Sequence, residues 1–129
     1  MYQRLDKRVA RLIADSGPSL VGGLKGLEKE ALRVTADGRV SQASHPAGLG
    51  AALTHPWITT DYSEALLEFV TPPRADIFEC LEFLTDIHRY TYDYLPEGEL
   101  LWATSMPCIV EGDRSIPIAR FGNSNPGLM

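Results

Sequence analysis

The sequence has few cysteines, no excess of positive charge and no long apolar run, and each shortage excludes a class of protein. Among 129 residues there are only two cysteines, Cys80 and Cys108, too few for a disulfide-built secreted domain and without metal-site spacing. The balance of 12 Lys+Arg against 17 Asp+Glu gives a net charge of −5, which does not favour nucleic-acid binding. No apolar stretch approaches the roughly 20 residues that cross a bilayer, and the charged N-terminus predicts no secretory signal. We therefore expect a cytoplasmic protein with neither nucleic-acid nor membrane partners.

The composition that remains is typical of one globular domain. Hydrophobic residues make up 44% of the chain and charged residues 22%. A chain of this length buries roughly two-thirds of its unfolded surface, which is enough for a core. We therefore treat residues 1–129 as a single domain.

Hydrophobic periodicity predicts two main helices. Apolar residues spaced for one helical face predict a helix over residues 3–14, which the Ser16-Gly17-Pro18-Ser19 stretch should end. A longer helix is expected over residues 76–94, with Asp76 as its N-cap and Pro96 beyond its end. A third, short helix is expected within residues 45–53.

Short runs rich in β-branched and aliphatic residues predict the strands. Residues 27–34 and 39–42 flank Asp37-Gly38, a dipeptide typical of hairpin turns. Two further strands are expected at 57–60 and 65–70, and an edge strand, interrupted by Pro107, within 100–110. Strands before and after one long helix indicate an α+β fold with a mainly antiparallel sheet.

The first candidate site residues are Glu28 and Glu30 on the first predicted strand. Residues at i and i+2 of a strand project from the same face. Two neighbouring carboxylates repel each other unless a cation lies between them, and Mg²⁺ is often held by one or two carboxylates. The pair is either a magnesium site or an acidic strand face in solvent, and the pattern alone favours the solvated face.

A second acidic set is formed by Asp61, Glu64 and Glu68. Strand alternation would place Glu64 and Glu68 on one face. Glu68 lies within Ala-Leu-Leu-Glu-Phe-Val, where a lone carboxylate is costly to bury without a partner. It is therefore either a metal ligand or the partner of a structural ion pair, for which Arg33 is available.

The remaining candidate side chains favour structural roles. His45 and His55 each precede a proline and are expected to be exposed loop residues. His88 lies on the apolar face of the long predicted helix, where a histidine at the core boundary is expected. Cys108 has no nearby base and is expected to be an inert, buried thiol.

Several stretches resemble the N-terminal part of the proteobacterial glutamate–cysteine ligase family, also called γ-glutamylcysteine synthetase. They are residues 26–34, 52–72, 86–90 and 105–108, within a resemblance that extends from about Leu24 to Gly127. The resemblance implies ATP-dependent ligation of L-glutamate, through an acyl phosphate at its γ-carboxylate, to L-cysteine, the first step of glutathione synthesis. It also implies Mg²⁺, with Mn²⁺ as a substitute, and a curved, largely antiparallel sheet within a glutamine-synthetase-like catalytic fold.

Carried over by position, the resemblance assigns the family's acidic metal ligands to Glu28, Glu30, Asp61 and Glu68. It leaves Glu64 with a structural or supporting role. Phe121 falls where the family commonly has a tyrosine in the cysteine pocket, so the ring is kept and the hydroxyl is lost. That difference puts a hydrogen bond to cysteine in question, and with it the selectivity for cysteine.

The resemblance covers only about the first quarter of the family's length. We therefore expect residues 1–23 to be a helix and loop and residues 24–129 to be the matched N-terminal portion of a longer, monomeric ligase, inactive when isolated. Two alternatives stay open. One is a related γ-glutamyl ligase with another amine acceptor, which Phe121 would permit. The other is a non-catalytic paralogue that binds a partner through an open sheet edge.

Overall fold

The computed structural model describes residues 2–20 and 22–121, and confirms the expected α+β class. Two helices, α1 (Tyr2–Leu20) and α2 (Ile77–Tyr94), accompany four strands: β1 (Glu28–Val34), β2 (Ile58–Thr60), β3 (Leu66–Val70) and β4 (Leu100–Leu101). Single 3-10 turns occur at Ala47–Leu49 and Asp113–Ser115. In this described part of the chain, neither helix is long and apolar enough to cross a membrane.

The four strands form one open antiparallel sheet in the order β2-β3-β1-β4. The register of β1 on β3 places Glu30 directly opposite Glu68, and that of β2 on β3 places Thr59 opposite Glu68 on the other side. The two central strands therefore carry Glu28, Glu30 and Glu68, three of the four predicted metal ligands.

Helix α2 covers one face of this sheet and forms the main core with it. Asp76 caps the helix by accepting a hydrogen bond from the Phe78 amide at 2.8 Å, as the sequence predicts. Trp57 and Phe83 meet edge to face with ring centroids 5.4 Å apart. The buried residues of this core come from β1, β2, β3, β4, α2 and the first 3-10 turn: Ala31, Leu49, Ile58, Leu67, Phe69, Ile87 and Leu101.

The opposite face of the sheet is covered only at one end. There Leu32 and Val34 pack with a second, smaller cluster that includes Val40, Cys108 and Trp102. Cys108 is buried, as predicted. Because side chains alternate along a strand, Glu28 and Glu30 share this second face with Leu32, and both are exposed. The uncovered end of the face is therefore acidic.

Helix α1 is longer than its sequence pattern predicts. It continues through Gly17 and Pro18 to Leu20 instead of ending near residue 14. A proline removes one backbone donor and strains one turn, but neighbouring hydrogen bonds can hold the helix together. The predicted apolar stripe is present but exposed, with Leu5 55% and Ile13 61% accessible.

Three weaker elements are shorter than predicted. Residues 39–42 form isolated bridges, Val40 to Val34 and Arg39 to Ile109, in place of a full second hairpin arm. The predicted helix within 45–53 is a single 3-10 turn, and the strand within 100–110 is reduced to β4. The turn itself is as predicted, with Gly38 at a φ of 82°, a backbone conformation that glycine adopts readily. Residues 122–129, for which the glycine-, asparagine- and proline-rich sequence predicts a loop, lie outside the described residues.

Candidate metal-binding face

Strands β1 and β3 bring two of the predicted carboxylates side by side. Glu30 and Glu68 are direct cross-strand neighbours, and such pairs have Cβ atoms about 4.5–5.5 Å apart. Glu28 lies two residues before Glu30 on the same face of β1. The sheet register therefore brings together residues that are about 40 positions apart in sequence.

Asp61 completes this group because it directly follows β2, which pairs with the other side of β3. Its amide donates to the Leu66 carbonyl at 3.1 Å, which fixes it beside the start of β3. Partial burial, followed by the negative charges of Asp61, Glu28 and Glu30, raises the pKa of Glu68. All four predicted ligands are therefore close enough to interact, and we call Glu28, Glu30, Asp61 and Glu68 the acidic face.

No basic side chain of the described residues neutralises the acidic face. None of its four carboxylates takes part in an ion pair within residues 2–20 and 22–121. Lys29 projects to the other side of β1, where its Nζ lies 5.8 Å from the centroid of the Phe69 ring. Uncompensated, converging carboxylates suit a hard cation.

The same carboxylates do not form a closed cage. Across the described ranges, no three His, Cys, Asp or Glu side chains are arranged to hold a single ion. Mg²⁺ commonly takes one or two protein carboxylates and completes its shell with water and substrate phosphates. The donor set therefore fits ions that are shared with a phosphate substrate, and does not fit a structural ion enclosed by this chain alone.

The structural alternative for Glu68, an ion pair with Arg33, is wrong. Arg33 is fully buried, and its Nη1 pairs with Glu99 Oε2 at 2.9 Å. Its Nη2 donates to the Ala43 and Glu64 carbonyls at 2.7 and 3.0 Å. Strand alternation explains the difference, because Arg33 projects from the face of β1 opposite to Glu30, and Glu68 shares the face of Glu30.

Glu64 does not share a face with Glu68, contrary to the strand pattern. It precedes β3, which begins at Leu66, so strand alternation does not yet apply to it. Its carboxylate is buried and accepts hydrogen bonds from the His45 and Arg120 amides at 2.9 and 2.7 Å. This agrees with the structural or supporting role that the resemblance leaves to it.

Two of the histidines are less exposed than predicted. Both His45 and His55 are half-buried. His45 Nδ1 lies 2.8 Å from Thr60 Oγ1, and burial lowers the pKa of this imidazole. His55 Nδ1 accepts from the Trp57 and Ile58 amides at 3.2 and 2.9 Å, which organises the entry to β2.

His88 is half-buried, as expected for the core boundary. Its ring lies against that of Phe69, with 4.6 Å between centroids. Its Nδ1 lies 2.7 Å from the Leu84 carbonyl. These contacts support a packing role for His88 and place it on the face of the sheet that α2 covers.

Phe121 lies at the end of a segment that runs antiparallel beside residues 62–64. The Ala119 amide donates to the Tyr62 carbonyl at 3.1 Å, and Ser63 and Ile118 form a β-bridge. Phe121 is half-buried and has a φ of 50°, which is unusual for an aromatic residue. This path leads the chain toward Asp61, at the edge of the acidic face.

Sequence reasoning missed the polar network that supports this region. Glu99 accepts from both Arg33 and Ser41, although nothing in its Pro-Glu-Gly-Glu surroundings distinguishes it from a surface glutamate. Arginine within the apolar stretch of β1 is the one available signal, since a buried guanidinium requires an acidic partner.

Comparison with known proteins identifies the family. The sequence matches the family described as glutamate-cysteine ligase over residues 10–129. It is 49% identical over 128 residues to the glutamate–cysteine ligase of Alcanivorax borkumensis, covering 98% of this chain and 24% of that protein. It is 54% identical over 109 residues to the glutamate–cysteine ligase of Yersinia pseudotuberculosis, covering 84% of this chain and 21% of that protein. The chain thus spans about a quarter of the length of the curated relatives it matches.

Solved structures give the same result. A glutamate–cysteine ligase from Francisella tularensis, in complex with AMP, superposes with a TM-score of 0.76 at 40% identity, covering 81% of this chain and 21% of that one. A bifunctional glutathione synthetase from Pasteurella multocida superposes with a TM-score of 0.75 at 37% identity, covering 84% of this chain and 15% of that one. These matches agree with the fold that the resemblance implies. The chain therefore belongs to the glutamate–cysteine ligase family.

Proposed function

We propose that the protein carrying this sequence joins the γ-carboxylate of L-glutamate to the amine of L-cysteine, consuming ATP. The γ-carboxylate first takes the terminal phosphoryl group of ATP, which releases ADP. The cysteine amine then attacks the acyl phosphate, and phosphate leaves as γ-glutamylcysteine forms. Membership of the ligase family supports this reaction, and the observation that carries it is the convergence of four unneutralised carboxylates on one face of the sheet.

The described residues provide one wall of such a site. Residues 1–129 are proposed as the N-terminal portion of a longer, monomeric, cytoplasmic ligase, with the matched region beginning near residue 24. The acidic face would hold Mg²⁺, or Mn²⁺, from the rigid central strands β1 and β3. When bound, the ions would offset the negative charge of the nucleotide phosphates and the transferring phosphoryl group.

Placement on paired strands suits this role. Because the pairing of β1 with β3 fixes the backbones of Glu30 and Glu68, the points from which the two carboxylates extend are set before a ligand binds. Mutual repulsion in the absence of a cation, which contributes to the raised pKa of Glu68, is relieved when positive charge enters. Their function would be to position cations, and we assign no proton transfer to them.

Phe121 is proposed to face the amine acceptor. Its ring can pack against a small side chain, but it cannot donate the hydrogen bond of a tyrosine. This observation favours a second candidate, a γ-glutamyl ligase that accepts amines other than cysteine. A phenylalanine pocket discriminates by size and shape, so we expect weak selection between cysteine and 2-aminobutyrate.

The proposal is tested by phosphate release from the intact protein that carries this sequence. Purified protein receives ATP, magnesium and L-glutamate, with L-cysteine or 2-aminobutyrate as acceptor. Release that depends on an acceptor supports the ligase, whereas none from a folded, intact protein contradicts it and favours the partner-binding alternative.

The Phe121→Tyr variant tests the acceptor assignment in the same assay. A new neutral hydrogen bond is worth about 0.5–1.5 kcal/mol, so the preference for cysteine over 2-aminobutyrate should rise roughly two- to tenfold. If the two proteins showed the same preference for cysteine over 2-aminobutyrate, the assignment of Phe121 to the acceptor pocket would be wrong.

A further inference from the structure

Glu64 is a buried residue that links its own backbone segment to two distant loops. It is only 4% exposed. Its Oε1 accepts from the His45 amide at 2.9 Å and its Oε2 from the Arg120 amide at 2.7 Å. Its own amide donates to the Pro117 carbonyl at 2.8 Å. Both oxygens of one side chain are thus used to hold main chain from two distant loops.

The segment from residue 116 to residue 121 depends on such polar contacts. Two of its six side chains contribute little packing, since Ile118 is 56% exposed and Arg120 is exposed, and the other four are only half-buried. It is attached to residues 62–64 by main-chain bonds and by Ser63 Oγ, which donates to the Pro117 carbonyl at 2.8 Å. The bond from the Arg120 amide to Glu64 is the last of these attachments before Phe121 in the described chain.

The geometry makes this last bond important for Phe121. Phe121 has a left-handed φ of 50°, a conformation that an aromatic residue keeps only when its neighbours hold it. The peptide that precedes it carries the amide bound by Glu64. Residues 62–64 also follow directly after Asp61, so one short stretch of chain connects the acidic face with the support of Phe121.

We infer that Glu64 is a positioning residue for the acceptor side of the site. Its carboxylate fixes the Arg120 peptide, and thereby sets the place of Phe121 relative to Asp61. The effect on the acceptor rests on the proposed function, because that proposal places Phe121 beside the amine substrate. The effect on the 116–121 segment rests only on the hydrogen bonds.

The Glu64→Gln variant of the intact protein is the primary test. Glutamine has nearly the same shape, but it is neutral and its amide nitrogen cannot accept a hydrogen bond. In one orientation the Arg120 amide loses its acceptor, and in the other it keeps only an uncharged one, so the bond to the Arg120 peptide is weakened either way. We expect the KM for the amine acceptor to rise by about tenfold, the effect of losing one charge-assisted bond. The KM values for glutamate and ATP should stay within about twofold. An equal rise in all three, or no rise for the acceptor, would overturn the inference.

Amide hydrogen exchange supplies a second measurement that does not need turnover. In Glu64→Gln, the peptide covering residues 117–121 should exchange at least about tenfold faster than in the unaltered protein, and unchanged exchange would overturn the inference. If the unaltered protein shows no ligation, the proposed function fails, and exchange alone decides the role of Glu64.

Two further variants guard against misreading a folding defect. Thr91→Val removes a buried hydroxyl that donates to the Ile87 carbonyl within α2, outside the polar network around Glu64. It should leave both the acceptor KM and the exchange of that peptide unchanged; a change in either would count against a specific role for Glu64. Should Glu64→Gln not fold, Ser63→Ala, which removes the bond to the Pro117 carbonyl, should shift both measurements in the same direction, and its failure to do so would overturn the inference.

Discussion

At the scale of single residues, the buried Arg33–Glu99 pair is the interaction whose loss should lower the free energy of unfolding most. Both side chains are nearly inaccessible, at 0% and 7%, and removing one partner leaves a buried charge without compensation. We expect Arg33→Met to lower the free energy of unfolding by about 3–5 kcal/mol. Chemical denaturation of the intact protein measures this loss.

Arg89→Met is the matched control for that change. Arg89 lies 3.5 Å from Asp86, but both side chains are largely exposed, and such surface pairs contribute about 0–1 kcal/mol. Equal effects of the two variants would mean that the Arg33 pair has no special structural role.

The residue scale also shows where prediction from sequence succeeds and where it fails. Glu28 and Glu30 could be placed on one face because strand alternation is local. Glu68 could be recognised as unusual, but the absence of an ion pair with Arg33 could not be foreseen, because it depends on the register of β3 against β1, which places Glu68 opposite Glu30. The role of Glu64 depends on hydrogen bonds to residues 19 and 56 positions away in sequence, which no local pattern encodes.

At the scale of elements, the contact between the first 3-10 turn and α2 is unusually close. A Cβ added at Gly48 would lie 2.0 Å from Tyr94 Cδ1. Tyr90 donates to the Gly48 carbonyl at 3.1 Å, and its ring packs against Tyr94 at 4.8 Å between centroids. Gly48 is therefore required by packing, and the sequence pattern alone gives no indication of it.

We expect Gly48→Ala to lower the free energy of unfolding by about 1–3 kcal/mol, as overpacking does. The double variant with Tyr94→Ala should lose less free energy of unfolding than the sum of the losses in the two single variants, because removing the Tyr94 ring also removes the clash. Gly23→Ala, which introduces a Cβ into open space, provides the control. Strict additivity of the two changes would contradict the close contact.

Elements were predicted best where local signals agreed. Helix α2 has a cap, a regular apolar face and a proline beyond its end, and it begins and ends within one residue of the prediction. Strands β2 and β3 were equally clear. The second arm of the hairpin was not, because besides the local bridge from Val40 to Val34 it forms a bridge from Arg39 to Ile109, which is distant in sequence.

At the scale of the whole molecule, burial of His45 makes stability depend on pH. Burial, followed by the positive charge of Arg33, lowers the pKa of His45 in the folded protein below its ordinary 6.5. The unfolded chain then binds a proton more readily than the folded protein. The contribution of neutral His45 to the free energy of unfolding is therefore fully present above about pH 6.5, and it is lost as the pH falls through the pKa of His45 in the folded protein.

The His45→Gln variant should lose less thermal stability than the unaltered protein between pH 7 and pH 5.5. Burial also lowers the pKa of His88. Because His88 is present in both proteins, the difference between their melting-temperature profiles reports on His45 alone. Parallel melting-temperature profiles over this range would show that His45 titrates alike in the folded and unfolded states.

The magnesium dependence of the proposed ligation, measured on the intact protein, is the measurement that most directly tests the acidic face. In Glu68→Gln we expect turnover to be lost, or half-maximal activity to need at least about tenfold more magnesium, a loss of roughly 1.4 kcal/mol in binding. The melting temperature should not fall, because the change removes charge repulsion. Glu82→Gln, on the exposed surface of α2, should leave both unchanged. Near-normal turnover with an unaltered magnesium requirement in folded Glu68→Gln would contradict the account.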